Sequence, residues 1–474
     1  MKEKWKNWCN KHKYHIVELL LSTVILTIFS RCSFLYEINP WCDPNFYITV
    51  ARKMQKGQVL YRDIFEQKGP IIYYIHYLAC LLFDSSFAGV YIFEIIACLA
   101  TANLLDKIFN LYLDSKNRAM VGTLLTICII YSSRTFAMGD SAEEFCFPFL
   151  LYGLYCTLNF TGGNRLTRNQ YLLAGGSCGF VFWTKYTLLG LYVGIALLFF
   201  VIQVRKKEFK EIGKCICNVM TGFSVISLAT LTYFVKTHAV NDLIFTYIIV
   251  NTAYYSNKAG LSMLLACIVN DTIKLLYDCP LTSILIGIGI IHTILINNSG
   301  KLLILIFTTS LPLFLGLHIW TYYYYPLQLF TIFGTVYILQ LNSKNSLLAI
   351  STAGLLTIME ALPTLISDNN LTWLYKFKPW FQQTANPTLY LYQCEEAEFY
   401  TAYGIIPEEK YYITWNIQFP EMIEEQEQAA MDSRHDFIIT EIPQNFPGYQ
   451  CVDQSIRNEN GYNEIFYLYK RSDI

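Results

Sequence analysis

"YRDIFEQKGPIIYYIH", residues 61–76, decides how the rest of the chain is threaded. Arg62, Asp63, Glu66 and Lys68 lead through a Gly-Pro turn into the apolar run Ile71–Phe83. At 1.5 Å per residue that run is about 20 Å long, short of the roughly 30 Å of a bilayer core. As a half-buried helix at the membrane face, it leaves residues 37–86 as one large loop. As a span, it would invert every later loop.

The chain has 474 residues, of which 54% are hydrophobic and 15% charged; soluble domains carry about 25% charge. Apolar segments that meet or approach membrane length are Ile16–Leu35, Phe87–Leu113, Met120–Phe136, Phe145–Phe160, Tyr171–Trp183, Leu188–Val204, Cys215–Val235, Leu281–Ile296, Leu302–Leu317, Tyr322–Leu341 and Leu347–Ile366. The expected fold is an all-α polytopic membrane protein of about eleven transmembrane helices. A net charge of −1 gives no basis for a nucleic-acid partner. The first apolar segment has no small-residue cleavage site after it and reads as a retained anchor. Abundant Ile, Lys, Asn and Tyr point to an AT-rich bacterium, hence to a bacterial plasma membrane.

Lysines and arginines of short loops mark the cytoplasmic side. The N-terminal "MKEKWKNWCNKHKYH" holds five lysines. "DKIFNLYLDSKNR" (106–118), "GGNRLTRN" (162–169), "RKKEFKEIGK" (205–214), "NNSGK" (297–301) and "NSKNS" (342–346) are the other basic or hairpin-sized connections. All lie inside only if Ile71–Phe83 does not span and the tail after residue 367 is outside. This predicts a cytoplasmic N-terminus and an extracytoplasmic C-terminal region. Within the outer loop, Phe46, Val50 and Met54 recur at helical spacing, with Thr49, Arg52, Lys53 and Lys56 opposite. That pattern predicts a short amphipathic helix lying on the bilayer surface and stopping at Gly57.

Ionisable groups at the membrane boundary are functional candidates. Asp43 in "NPWCDPNFY" follows the first span and serves as a helix cap, a catalytic carboxylate, or both. Arg62, Asp63, Glu66 and Lys68 either form a solvated loop or hold a lipid phosphate. Asp140, Glu143 and Glu144 in "GDSAEEFCFP" (139–148) open a helix returning to the membrane, where acids also suit the helix dipole. Lys185 in "FWTKYTLLG" (182–190) sits between two spans. The block "HIWTYYYYP", His318–Pro326, includes Tyr322 and Tyr324 and doubles as an interfacial aromatic belt. Acids, cations and aromatic surfaces on one side of the membrane suit a polyprenyl-phosphate sugar. Its tail lies in lipid, its phosphate meets Lys or Arg, and one carboxylate takes the acceptor's proton during inverting transfer.

The order Asp43, helix, "GQVLYRDIFEQKGPIIYYI" (57–75) resembles the GT-C fold glycosyltransferases. Within them it is similar to the branch of protein mannosyltransferases using dolichyl-phosphate-mannose and of the lipid A aminoarabinose transferase (family 39/83-like). "EQKGP" matches that branch's short acidic-x-Lys-Gly/Pro-Pro element. "SAEEFCFPFLLYGLY" (141–155) resembles its second acidic motif, "FWTKYTLLG" its lysine- or arginine-bearing turn, and "YYYYPLQLFTIFG" (322–334) its late helix start, with tyrosine where histidine is common. The resemblance covers most of residues 15–345. It implies Asp43 as general base, Glu143 or Glu144 as second acid, and Lys68 and Lys185 on the donor phosphate, with Arg62 assigned beside them. Asp63, Glu66, Asp140, Tyr322 and Tyr324 are the further substrate-binding candidates. Some members use a divalent cation; no independent ligand set stands out here, so no metal is assigned. The expected partners are a polyprenyl-phosphate sugar donor, a glycan, lipid or protein acceptor, and membrane lipid. The expected organisation is a cytoplasmic segment 1–15, a GT-C-like membrane domain 16–366 and an outer domain 367–474.

The polar tail reads as a small α/β domain. "PTLYLYQCEEAEFYTAYG" (387–404) is a strand then a helix, "PEMIEEQEQAAMDSRHDFIIT" (420–440) a helix then a strand, and "NEIFYLYKR" (463–471) a last strand. It serves acceptor binding or stability. Fifteen cysteines show no metal spacing, and Cys394 and Cys451 are able to pair if the tail is outside. In "NDLIFTYIIVNTAYYSN" (241–257), Asn251 and Tyr254 are candidates for the acceptor route. Two other functions remain open: a transporter or flippase of lipid-linked saccharides, and a non-catalytic envelope-assembly subunit. Midplane charges or two similar halves would favour the transporter, and neither stands out.

Overall fold

The computed structural model describes residues 2–83, 87–254, 261–295, 300–314, 320–366, 370–414, 416–459 and 462–473. The chain divides into two compact units, each assembled from separate stretches.

The first unit comprises Met1–Leu35, Tyr91–Leu231 and Asn257–Ser367. It holds helix α1 (Lys2–Phe29), most of α4 (Ala88–Tyr112), α5 (Lys116–Ser132), α6 (Ala142–Thr161), α7 (Arg168–Lys185), α8 (Gly190–Lys206) and most of α9 (Phe209–Lys236). It continues with α11 (Leu261–Asp278), α12 (Pro280–Leu295), α13 (Lys301–Phe314), the 3-10 stretch Thr321–Phe330, α14 (Thr331–Gln340) and α15 (Ser343–Ile366). α1 and α4 run antiparallel: Thr27 meets Tyr91, and Ser22 meets Cys98. Leu125 and Ile129 of α5 join Leu281, Leu285, Ile338 and Ala353 in one apolar cluster. α7 and α9 approach so closely that a Cβ on Gly175 would stand 2.0 Å from the Val219 carbonyl oxygen. The buried Gln328 amide donates to Ser133 and Thr135 hydroxyls at 3.0 and 3.1 Å, which keeps polar groups in the bundle satisfied.

The expected apolar segments fall largely on helix in their described parts, the first ending at Phe29 rather than Leu35. Among the described residues, four helical stretches are long and apolar enough to cross a bilayer: Ala88–Tyr112, Arg168–Lys206, Phe209–Lys236 and Ser343–Pro363. A fifth candidate is the pair Ala266–Asp278 and Pro280–Leu295, bent by 112° at its break. The separate segments expected at 171–183 and 188–204 lie within one 39-residue helical stretch interrupted by the 3-10 turn Tyr186–Leu189. Helix length alone therefore does not fix the number of crossings.

The second unit comprises Tyr36–Val90, Thr232–Ser256 and Asp368–Ile474. It contains α2 (Cys42–Gln55), α3 (Pro70–Leu82), the end of α9, and α10 (Val240–Leu243) running on as a π-helix Ile244–Tyr254. The short α16 (Thr372–Tyr375) and α17 (Lys378–Gln382), then α18 (Glu398–Tyr403) and α19 (Pro420–Met431), pack with a four-stranded sheet. The strands β1 (Leu389–Leu391), β2 (Phe437–Thr440), β3 (Tyr449–Glu459) and β4 (Tyr462–Arg471) lie in the order β1-β2-β4-β3. β1 is parallel to β2 and the other pairs are antiparallel, with an irregularity at Cys451/Asp453. Tyr390, Ala430, Ile438, Phe446 and Tyr469 form the core under the sheet. The sequence reading placed β1, α18, α19, β2 and β4; β3 is additional.

α3 is 13 residues long, as the short run after the Gly-Pro turn required. α2 departs from expectation. Most of its supposedly open face is closed, with Thr49 3%, Arg52 8% and Lys53 0% exposed, while Lys56 just past its end is exposed. The C-terminal region covers it: Lys53 Nζ donates to the Glu409 carbonyl and sits 4.7 Å from the Tyr412 ring centroid. α2 is thus packed on both faces rather than laid on a surface. Its stop is as read, with Gly57 at φ +89° and its N–H bonded to the Met54 carbonyl. The Cys394–Cys451 pair is not formed, and both thiols are free. Cys394 follows β1 and Cys451 lies on β3, at opposite edges of the sheet, about 14 Å apart at strand spacing and beyond disulfide reach.

Candidate functional site

In the second unit the sequence around Asp43 folds to aim its carboxylate at a lysine. α2 begins at Cys42 with Trp41 as its N-cap, so Asp43 is not the cap but stands in the first turn. Pro44 accordingly is not the first helical residue. Asp43 Oδ2 accepts from Lys68 Nζ at 2.9 Å and from the Tyr47 hydroxyl at 3.4 Å. Lys68 also lies 5.1 Å from the Tyr47 ring centroid, and both charged side chains are largely buried.

The loop carrying Lys68 is pinned at several points. Tyr61 takes the left-handed conformation, φ +67°, stacks on Phe234 with ring centroids 5.5 Å apart, and donates its hydroxyl proton to the Lys68 carbonyl at 2.5 Å. Asn251 of the π-helix donates to the Gln67 carbonyl at 2.8 Å. Gly69 caps α3 and Pro70 fills its first position. Asn251, expected on an acceptor route, is therefore a clamp on the lysine loop. Tyr254 rests on Phe419, ring centroids 5.8 Å apart.

Glu66 sits inside this loop, 1% exposed, with Oε1 accepting the Gln67 N–H at 2.8 Å. Burial pushes its pKa up from the ordinary 4.5 to about 7; Lys68 opposes the rise and Asp43 adds to it. Arg62 and Asp63 point elsewhere. They clasp each other through two 2.9 Å bonds at the exposed side, Arg62 also reaching the Thr237 carbonyl at 3.1 Å. The Arg62 hydrogen bond holds the Asp63 carboxyl below the usual carboxylate range. The "YRDIFEQKGP" charges thus separate into an outer pair and an inner pair.

In the first unit, the start of α6 holds the other acids. Ser141 caps the helix, accepting the Glu144 N–H at 3.0 Å. Before it the chain takes two left-handed residues, Gly139 at φ +86° and Asp140 at φ +62°. That turn points the Asp140 N–H at two carboxylates, Glu144 at 2.8 Å and Glu94 at 3.0 Å. Ser30 donates to the other Glu94 oxygen at 2.6 Å. Glu143 and Glu144 diverge: Glu143, 1% exposed, is ion-paired with Lys185. The Lys185 ammonium lies 4.2 and 5.4 Å from the Tyr323 and Tyr322 ring centroids. Tyr324, 2% exposed, faces away toward Asp271. His318 lies outside the described residues.

Glu94 was not singled out in the sequence. Its signal was one acid inside an otherwise apolar span, a costly placement unless it has partners. Tyr61 and Tyr323 likewise gave no individual signal. The second unit offers a carboxylate held by a cation; the first, by itself, offers a cation framed by tyrosines and buried acids able to bind or relay protons.

Comparisons with known proteins bear on the fold. Residues 67–231 match the family model described as dolichyl-phosphate-mannose-protein mannosyltransferase. A search of curated proteins finds no match. The chain superposes on crystal structures of ArnT from Cupriavidus metallidurans. With the form bound to undecaprenyl phosphate the TM-score is 0.61 at 11% identity, covering 96% of this chain and 97% of that one. With the apo form it is 0.63 at 11% identity, covering 99% of each. The fold is GT-C-like: a multi-pass helical membrane protein with a small sheet region.

Proposed function

We propose that this protein is a membrane glycosyltransferase that moves a sugar from a polyprenyl-phosphate carrier to a cell-envelope acceptor on the extracytoplasmic face, with inversion. The observation that carries the proposal is the buried Asp43–Lys68 pair, 2.9 Å long and held by a clamped loop. The family match over 67–231 includes Lys68, and a protein of the same fold binds undecaprenyl phosphate.

In this mechanism Asp43 is the general base. It accepts the acceptor hydroxyl proton as that oxygen attacks the anomeric carbon. The bond from that carbon to the phosphate oxygen breaks, its electron pair stays on oxygen, and polyprenyl phosphate leaves. Lys68 stabilises the charge on the departing phosphate. When the phosphate engages Lys68, the ammonium moves off Asp43 and the carboxylate becomes free to take a proton. In the first unit, Lys185, paired with Glu143 and edged by Tyr322 and Tyr323, is a further candidate for binding a carrier phosphate. Glu144 and Asp140 support substrate, and Glu66 tunes the inner pair.

The test is incubation of purified protein in lipid with a panel of radiolabelled polyprenyl-phosphate sugars and envelope acceptors. Consumption of one donor with release of polyprenyl phosphate is expected. Translocation of an intact lipid-linked saccharide without cleavage would instead establish a flippase. No consumption of any donor, with acceptor present, would overturn the assignment.

A further inference from the structure

We infer a divalent-cation site between α1 and α4, formed by His15, Glu18 and Asp106. One ligand atom from each lies within 4.8 Å of the others. The placement follows from the antiparallel register of the two helices. Thr27 meets Tyr91 and Ser22 meets Cys98, so His15, seven residues before Ser22, comes level with Asp106, eight beyond Cys98, and Glu18 joins them from the next turn of α1. His15 and Glu18 are one turn apart and share a face, with His15 Nδ1 3.6 Å from Glu18 Oε2.

The chemistry of the donors favours a metal ion over a closed ion pair. Glu18 is 2% exposed, and its Oε1 has no hydrogen-bond partner within 3.5 Å among the described residues, the Thr123 hydroxyl being the neighbouring polar group. Asp106 Oδ1 is oriented by the Asn110 amide at 2.8 Å, as supporting groups orient metal ligands. A divalent cation held by two ionised carboxylates and a neutral imidazole leaves the set with no net charge. One nitrogen and two oxygens, with ligand bonds of about 2.0–2.2 Å, suit zinc and similar first-row ions. Bringing the donors onto such an ion needs closure by about an ångström, within side-chain reach. His15 is 39% exposed, which leaves an approach for the ion. Asp106 is far in sequence from His15 and Glu18, so the set carries no linear motif. The inference does not depend on the proposed transfer reaction.

The experiment uses full-length protein in detergent, stripped with chelator and titrated with Co²⁺ and Zn²⁺. Expected are one Co²⁺ equivalent with a visible ligand-field spectrum, and a rise in apparent melting temperature with Zn²⁺. Glu18→Gln and Asp106→Asn should each lose the spectrum and the thermal response. His15→Gln, at the partly exposed end, removes the nitrogen with the least risk to folding and should weaken Co²⁺ binding at least tenfold. Equal metal stoichiometry and spectrum in wild type and in all three variants, or no spectrum in wild type, would overturn the site and leave only an ion pair.

Discussion

Lys68 Nζ and Asp43 Oδ2 stand 2.9 Å apart, joining the first turn of α2 to the loop before α3 across 25 positions of sequence. The pair gives a buried carboxylate a cationic partner and a buried ammonium an acceptor at once. Removing either member leaves the other with a smaller set of partners, so the two variants should fail differently.

Asp43→Asn keeps size and hydrogen-bonding ability but cannot take a proton. Its turnover should fall by about 10²- to 10⁴-fold, the range for loss of a general base. Donor binding should change little, because Lys68 remains. Lys68→Gln should chiefly raise the KM for donor, by roughly tenfold or more, the loss of one charged hydrogen bond being about 1.5–3 kcal/mol. Steady-state kinetics with varied donor separates the two. Undiminished turnover in Asp43→Asn would remove Asp43 from the chemistry.

Asn251→Ala should loosen the lysine loop. The lost bond to the Gln67 carbonyl is about 1 kcal/mol, and the π-helix bonds of the same amide go with it. The expected outcome is a several-fold lower turnover with a small drop in apparent melting temperature. A variant with unaltered kinetics would show that the clamp is not needed for catalysis.

Glu66 gives a pH signature of defined sign. Its folded pKa, about 7, is above the ordinary 4.5. Its contribution to stability is therefore fully present below pH 4.5 and is lost as pH rises through about 7. Glu66→Gln removes that loss, which is on the order of 3 kcal/mol between the two extremes. The variant should be more heat-stable than wild type at pH 8 and nearly matched at pH 5. Thermal scans across that range decide it.

Lys53 acts with the opposite sign. Burial pulls its pKa from 10.5 down to about 7, against the pull of Glu409. Its contribution is present above pH 10.5 and is lost as pH falls through about 7. Lys53→Met should stabilise the protein most at pH 6 and least at pH 9. The reverse ordering would mean that the ammonium is charged and well paired under α2.

Much of this was legible in the chain itself. The Gly-Pro turn, the 13-residue α3 and the Gly57 stop could be read because each depends on neighbours in sequence. The Asp43–Lys68 pair was half legible: both residues stood out, but their contact depends on how two helices fold back. β3 was hidden because "YQCVDQSIRNE" is a polar edge strand, and its order comes from pairing with β4. The burial of Lys53 was hidden because its cover lies more than 350 residues onward. Glu94 was hidden by the hydropathy of α4, which reads as one apolar span around it.

The turn before α6 supports a last prediction. Gly139 has φ +86°, and a Cβ there would stand 2.5 Å from Glu94 Oε1 and 2.9 Å from Ser30 Oγ. Those atoms cannot yield easily, since Glu94 is held at one oxygen by the Asp140 N–H and at the other by Ser30. Gly139→Ala should therefore carry a backbone penalty of about 1 kcal/mol and a crowding penalty of about 1–3 kcal/mol more. Gly57→Ala separates the two contributions: its φ is +89°, yet nothing lies within 4 Å of the added carbon. Gly57→Ala should lower stability by the backbone penalty alone, whereas Gly139→Ala should lower it further and depress activity by displacing Glu94 and Asp140. Equal melting temperatures for the two variants would mean that the Glu94 carboxylate is free to move, and that the Glu94–Asp140–Glu144 cluster is looser than its hydrogen bonds require.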